Sequence, residues 1–398
     1  MNRPSIPRLI LLAVGVSVRA QPPTPSAAPP VPLFSAEVIK SFTPGENPIT
    51  DAKAKLGDMI FDEKRLSSDN SVACNTCHPP HSGFTTHTGA SRGVGGHVGT
   101  RNAPSILNTV FYKSMFWDGR AASLEEQATL PILNPIEMGQ KNPKEAVAKL
   151  AAIPEFVEAF QQVFGRPVNW EDIGKALAAF ERTRLSTEAP FDRFLHGDTK
   201  ALNASQQRGW ALFTGRARCG SCHTYDPALP LFGDNSFHNT GVAVRRLAVR
   251  GRDFNQLATA DTAAAGNKSE IDKLALETDY SELGRFLVTK KTEDIGAFKT
   301  PFLRDVLLTA PYMHNGSLET LWDVVEFFNK GGERNPFLDA KMKPLWLTES
   351  EVEDLVNFLG ALTSDRFAEL RGAELDRQRT TYLYRRAVQH QMHNRAAR

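Results

Sequence analysis

The sequence predicts a mainly α-helical chain built from two related halves, and three observations carry that prediction. Segments with 3.6-residue apolar spacing recur along the chain, whereas no run alternates as a half-buried strand would. A block starting at Arg101, RNAPSILNTVFYKSMFWDGRAASLEEQ, returns from Phe298 as FKTPFLRDVLLTAPYMHNGSLETLWDVV. Pro104 pairs with Pro301, Trp117 with His314, Gly119 with Gly316 and Leu124 with Leu321, each pair 197 residues apart. Finally, all four cysteines fall in two C-x-x-C-H units, ACNTCHPPH from Ala73 and RCGSCHTYD from Arg218. Internal duplication is the simplest account.

The elements follow in order. Thr50 is expected to cap a helix with Leu56, Met59 and Ile60 on one face, just before the first cysteine unit. Ser123 with Glu126, and Thr348 with Glu351, have the capping-box spacing, and Asn142-Pro143 places a cap and a first-turn proline ahead of KEAVAKLAA. Trp170 to Thr183 is helical, Ser205 is expected to cap a helix carrying Trp210 and Phe213 before the second unit, and Ser317 to Asn329 is helical. The cysteine units are offset by 145 residues, so the second half holds about 52 more residues between its unit and the repeated block. Much of that surplus lies in Arg245 to Leu283, which reads as a surface excursion, either partner-binding or inert. Beyond Thr363 the chain turns polar and Arg-rich, a peripheral helix or a loose tail.

At 398 residues the chain has room for two ordinary domains. Its 47 basic and 45 acidic residues nearly balance, so no net field argues for nucleic acid or an anionic membrane. Arg3 and Arg8, the apolar run Leu9 to Val18 and Val18-Arg19-Ala20 read as an export signal, too short to span a bilayer. No cysteine follows the run to take a lipid, and QPPTPSAAPPVP from Gln21 is a tether that cannot build a core. The mature protein is expected to be soluble and periplasmic. The expected division is 1–20 signal, 21–33 tether, 34–197 and 198–364 the two halves, and 365–398 the tail.

Three chemistries compete for the cysteines. A disulfide within C-x-x-C closes a very small loop and is usually redox-active rather than structural. Zinc would need both pairs to converge or further ligands, and neither option explains a histidine at the same place twice. Covalent haem explains it: two thiols add across the vinyl groups of one porphyrin, and the adjacent imidazole becomes the fifth iron ligand. Cys74, Cys77 and His78 would then hold one haem c, and Cys219, Cys222 and His223 a second.

With these units, FWDGRAASLEEQ, NPIEMG, FKTP and APYMHNGSLETL, the sequence resembles the bacterial di-haem cytochrome c peroxidase family, including its MauG-type branch, from about Ile49 to Thr363. The resemblance implies two cytochrome-c-like haem domains, the first meeting hydrogen peroxide and the second exchanging electrons with a small cytochrome c or cupredoxin, and a Ca²⁺ ion between them. It places the distal acid–base glutamate at Glu137, the inter-haem tryptophan at Trp117, and other distal or inter-haem positions at Gln127 and Pro131. It assigns calcium to Asn102 and to the carbonyls of Thr309 and Pro311, oxygen donors suited to a hard cation. A carboxylate against an apolar haem pocket has its pKa raised toward a useful range for moving the peroxide proton.

Two features depart from or leave open the family pattern. The sixth ligand of the second haem, methionine in peroxidases and tyrosine in MauG-type relatives, falls fourteen residues after the histidine of PYMH, which here is Phe328. A phenyl ring has no lone pair for iron, so an open second haem is expected unless Met313, His314 or a shifted helix supplies one. Some relatives close the first haem with a histidine from the loop before RNAP. His87 and His97 lie in that loop, and an always-open first haem is expected. The leading function is an exported peroxidase; the alternatives are a MauG-type enzyme oxidising side chains of a protein substrate, and a non-enzymatic two-haem carrier, against which Glu137 argues.

Overall fold

A computed structural model describes residues 32–259, 262 and 266–396, with side chains to 392. The expected export signal and all of the tether but Pro32 and Leu33 lie outside the described residues.

The first half is organised around α1 (Asp51–Phe61), α2 (Leu124–Leu133), α3 (Pro143–Ala151), α4 (Pro154–Phe164) and α5 (Trp170–Arg182). Thr50 Oγ1 accepts from Lys53 N at 3.2 Å and so starts α1, whose Leu56 and Ile60 are buried while Met59 is half-buried. Asn142 and Asn169 cap α3 and α5 in the same way. At α2 only half of the expected capping box forms. Ser123 accepts from Glu126 N, but the Glu126 carboxylate reaches Ala122 N at 2.7 Å instead of closing on Ser123.

The second half uses α6 (Ala204–Thr214), α7 (Val242–Val249), α8 (Lys268–Leu276), α9 (Leu321–Asn329), α10 (Glu349–Gly360) and α11 (Ala368–Ala396). Two helix starts differ from expectation because a better reciprocal cap lies nearby. Asn203, paired with Gln206, caps α6, and Ser205 instead donates to Asp354 Oδ1 at 2.6 Å. Thr320, paired with Asp323, starts α9 three residues after Ser317, and Leu318 pairs with Tyr312 in an isolated bridge rather than joining the helix face. Thr348 and Glu351 form the full box expected for α10. Among the described residues strand structure is confined to isolated bridges and a two-residue antiparallel pair, β1 (Phe237–His238) with β2 (Phe298–Lys299).

Each half brings the helix before its cysteine unit into backbone contact with a later helix through glycine. A Cβ on Gly57 would lie 2.1 Å from Ala176 O, and one on Gly209 would lie 2.0 Å from Asp354 O. Phe180 and Phe358, each one turn further along, close the two crossings. Gly57→Ala should therefore force α1 and α5 apart, costing about 1–3 kcal/mol. The check is a drop in urea midpoint at constant m-value.

The repeated block adopts repeated backbone. Asn108 and Asp305 are left-handed (φ 61° and 59°), as are Phe116 and Met313 (65° and 72°) and Gly119 and Gly316 (71° and 63°). Bridges Met115↔Ala121 and Tyr312↔Leu318 sit at the same offset.

Two segments are more structured than their composition implies. The excursion holds most of α7 and all of α8, and its Leu247, Phe254, Leu257, Ala275 and Leu283 build a core with Ala243, Phe286 and Phe298, so it is not loose filler. The tail forms α11 and docks: buried Gln378 donates to Leu307 O at 2.9 Å and accepts from Leu321 N at 2.9 Å, and Tyr382 stacks on Trp322. Buried Gln378 serves as partner for buried backbone groups in the second half, which is why apolar periodicity did not reveal the contact.

Candidate haem sites

Two largely apolar cavities lie side by side. Cys74, Cys77 and His78 line the first, and Cys219, Cys222 and His223 the second. The thiols are unbridged. In each unit the histidine N–H bonds back to the first cysteine carbonyl at 2.9 Å, which fixes thiols and imidazole on one short turn. His78 Nδ1 lies 3.0 Å from Phe84 O, and His223 Nδ1 lies 3.0 Å from Phe232 O. A carbonyl accepts only, so Nδ1 carries the proton and the Nε2 lone pair is left for a metal. Burial holds both imidazoles below their ordinary pKa, hence neutral, and pushes the Cys74 and Cys219 thiols up. Two thiols and an oriented neutral imidazole at the wall of an apolar cavity are the donor set that covalent haem requires, twice over.

Trp117 lines both cavities, and its Nε1 donates to Asn102 O at 2.9 Å. Next to it, Asp118 is buried. Burial opposes its charge, yet Arg120 (3.1 Å) and Arg101 (2.6 Å) hold its carboxyl well below the usual range. Two residues that sequence reasoning missed share the boundary with Trp117. Tyr112 stacks on Phe302 at 4.0 Å, and Lys299 Nζ sits 3.8 Å over the Tyr112 ring while donating to Ser114 O. Burial lowers the Lys299 pKa to about 7.

Glu137, Gln127 and Pro131 all line the first cavity with His78. Asn134 Nδ2 donates to Glu137 Oε1 at 2.6 Å. Burial raises the Glu137 pKa, and Arg120 opposes the shift. Arg120 itself is gripped by Asp272 at 3.0 Å and lies over the Phe116 ring at 3.6 Å. Asp272 belongs to α8, whose Ala275 and Leu276 wall the same cavity and whose Lys268 pairs with Glu126 at 2.9 Å. The excursion thus completes the first cavity from the other half of the chain, a role that no local pattern signals.

His87 and His97 are exposed and neither lines a cavity; His87 Nδ1 is 3.0 Å from Ala310 O. Asn102, Thr309 and Pro311 all border the second cavity, and Asn102 N donates to His314 O at 2.8 Å. The Asn102 carbonyl is taken by Trp117, and its Nδ2 donates to Thr88 O at 3.1 Å. Oδ1 is therefore the oxygen that Asn102 can offer a hard cation.

In the second cavity, Leu321, Val324, Val325 and Phe328 of α9 form one wall. His314 is buried, stacked on Phe298 at 3.5 Å, with Nε2 held 2.7 Å from Glu282 of the excursion. Met313 and Met342 also line this cavity. Beside Cys222, His238 is clamped by Asp234 (2.9 Å) and Asp339 (2.6 Å); Asp234 is the largest cause of a pKa pushed up to about 10.

Comparison with known proteins agrees with this architecture. Residues 51–200 match the family model described as di-haem cytochrome c peroxidase. The chain is 38% identical over 346 residues to cytochrome-c peroxidase IdrP1 of Denitromonas iodatirespirans, covering 84% of this chain and 85% of that one. It is 37% identical over 324 residues to the methylamine utilization protein MauG of Methylorubrum extorquens, covering 81% of each. A crystal structure of a MauG-like protein associated with microbial copper homeostasis superposes with a TM-score of 0.67 at 28% identity, covering 88% of this chain and 97% of that one. These likenesses span both cavities, and the chain belongs to the di-haem cytochrome c peroxidase family of oxidoreductases.

Proposed function

We propose that the protein is an exported, periplasmic peroxidase that reduces hydrogen peroxide to water with two electrons and two protons, the electrons coming from a small redox protein. One haem c is held by Cys74, Cys77 and His78 in a domain spanning 34–197, and the other by Cys219, Cys222 and His223 in a domain spanning 198–364. The shared left-handed positions, bridges and glycine crossings support an origin by duplication. The observation that carries the function is Glu137, a carboxylate with a raised pKa on the wall of the cavity that holds His78.

When bound, the first haem supplies an iron site for peroxide and the electrons that cleave the O–O bond. Glu137 takes the proton from the oxygen nearer that site and returns it to the farther one, which departs as water. Asn134 fixes Oε1 for both transfers, and Gln127 lines the same space. Trp117 bridges the two cavities as the route for electrons. Asn102 Oδ1 and the Thr309 and Pro311 carbonyls are the oxygens that would hold a Ca²⁺ ion. His87 and His97 stand away from the first cavity, which supports an always-open first haem. Export rests on the first twenty residues; among the described residues no helix is long and apolar enough to cross a membrane.

The MauG likeness carries a second reading, oxidation of a protein substrate. Phe328 is neither the methionine of peroxidases nor the tyrosine of MauG-type relatives, so it does not choose between the two. Stopped-flow mixing with peroxide separates them: rapid discharge by a reduced cytochrome identifies the peroxidase, whereas a long-lived oxidised state that the cytochrome barely discharges identifies the second reading. Phe328 has no lone pair to offer, and His314 commits Nε2 to Glu282, so position 328 supplies no ligand. Electron paramagnetic resonance of the ferric protein should show the second haem high-spin or water-bound, becoming low-spin in Phe328→Met. A low-spin His/Met signal in the wild type would instead assign Met313 or Met342 to the iron.

A further inference from the structure

We propose that the rim of the second cavity is a docking surface for a small acidic redox protein, anchored by Trp346. This rests on the second unit holding haem and goes beyond it by naming the surface and the charge of its partner.

Trp346 is 81% exposed and sits in the left-handed region at φ 55°. A bulky residue is uncommon there, and tryptophan is enriched among the anchors of protein interfaces. Its position is not loose. Leu345 N donates to Asn329 O at 3.0 Å, Leu347 N donates to Asn329 Oδ1 at 2.8 Å, and Asn329 Nδ2 donates back to Leu347 O at 3.1 Å. Arg216 Nη1 holds the Trp346 carbonyl at 3.1 Å, and Arg216 is itself fixed by Glu351. The backbone is pinned on both sides and the ring is presented outward, so little ordering is lost when a partner covers it.

The same segment carries charge onto the haem edge. Lys341 Nζ donates to Ser221 O at 3.0 Å and lies 3.9 Å from Cys222 Sγ, while Arg218 Nη2 donates to Lys343 O at 3.4 Å. Arg218, Lys341 and Lys343 are exposed and line the cavity mouth, and among the described residues none of the three is in an ion pair. Glu351 is engaged by Arg216 and Glu349 by Arg386, while Asp339 and Asp234 share His238 and so leave one net negative charge beside Lys341. With three unpaired cations against that one charge, the rim of a chain of formal net charge only +2 is still net positive where an electron would enter. Such a field raises association with an acidic patch and slows a basic one. On docking, one electron leaves the reduced partner and enters the second haem; no proton or bond is exchanged.

The test uses the full holo-protein and two small cytochromes c of similar potential, one acidic and one basic. Binding is measured by titration calorimetry and reduction of the second haem by stopped flow, both at low and raised salt. The acidic cytochrome should bind and reduce at least roughly tenfold better at low salt, and the advantage should shrink as salt screens it. Trp346→Ala should weaken binding roughly tenfold, as loss of an interface anchor does. Lys341→Glu with Lys343→Glu should reverse the preference. Matching haem content and ferric spectra exclude misfolding in the variants. Equal use of both cytochromes, or unchanged binding by Trp346→Ala, overturns the proposal. Slow peroxide turnover with the charge preference intact would count against the peroxidase reading alone.

Discussion

Cys74→Ala with Cys77→Ala is expected to yield a protein with one covalent haem, an intact second-haem spectrum and no peroxide turnover. The first cavity loses both covalent attachment points, so the porphyrin can no longer be fixed there by thioether bonds and His78 would be its one remaining protein ligand. The two halves build largely separate cores, one around Leu56, Ile60, Phe156 and Phe180, the other around Phe213, Phe232, Trp322 and Phe358, so the second half should still fold and load. The effect is all-or-none because Glu137 faces only the first cavity. The checks are intact mass and a steady-state peroxide assay. Full turnover with one haem would move peroxide chemistry to the second site.

Glu137→Gln should keep both haems and slow peroxide cleavage by roughly 100- to 10,000-fold, the range for a lost acid–base group. Glutamine keeps the volume and still offers an oxygen to Asn134 Nδ2, so the loss isolates proton transfer from packing. The pH dependence gives a second signature. To accept the peroxide proton Glu137 must be ionised, so the rate rises with pH through its pKa, which burial places above the ordinary carboxylate value. That limb should vanish in Glu137→Gln. Unchanged kinetics would return Glu137 to a structural role.

Sequence alone reached the features whose parts are close together in the chain. The two cysteine–histidine units and the caps at Thr50, Asn142 and Thr348 are local, and their physics is complete within a few residues. Glu137 and Trp117 became visible only through resemblance, since a lone carboxylate after a proline and a lone indole have ordinary structural explanations. What stayed hidden depends on distant partners. Asp272 grips Arg120 across 152 residues, and Glu282 takes His314, both from a segment that read as a surface excursion, either partner-binding or inert. Gln378 docks α11 through backbone groups near Leu307 and Leu321, an interaction without apolar periodicity. Ser205 and Ser317 failed as helix starts for a local reason: Asn203 with Gln206 and Thr320 with Asp323 satisfy more orphan amides.

The central claim is that both cysteine units carry covalent haem, and peptide mass spectrometry of the purified mature protein tests it most directly. Two haems per chain are expected, one on the peptide containing Cys74 and Cys77 and one on the peptide containing Cys219 and Cys222, with no thiol open to alkylation. Four alkylatable cysteines, or a disulfide within either pair, would contradict it.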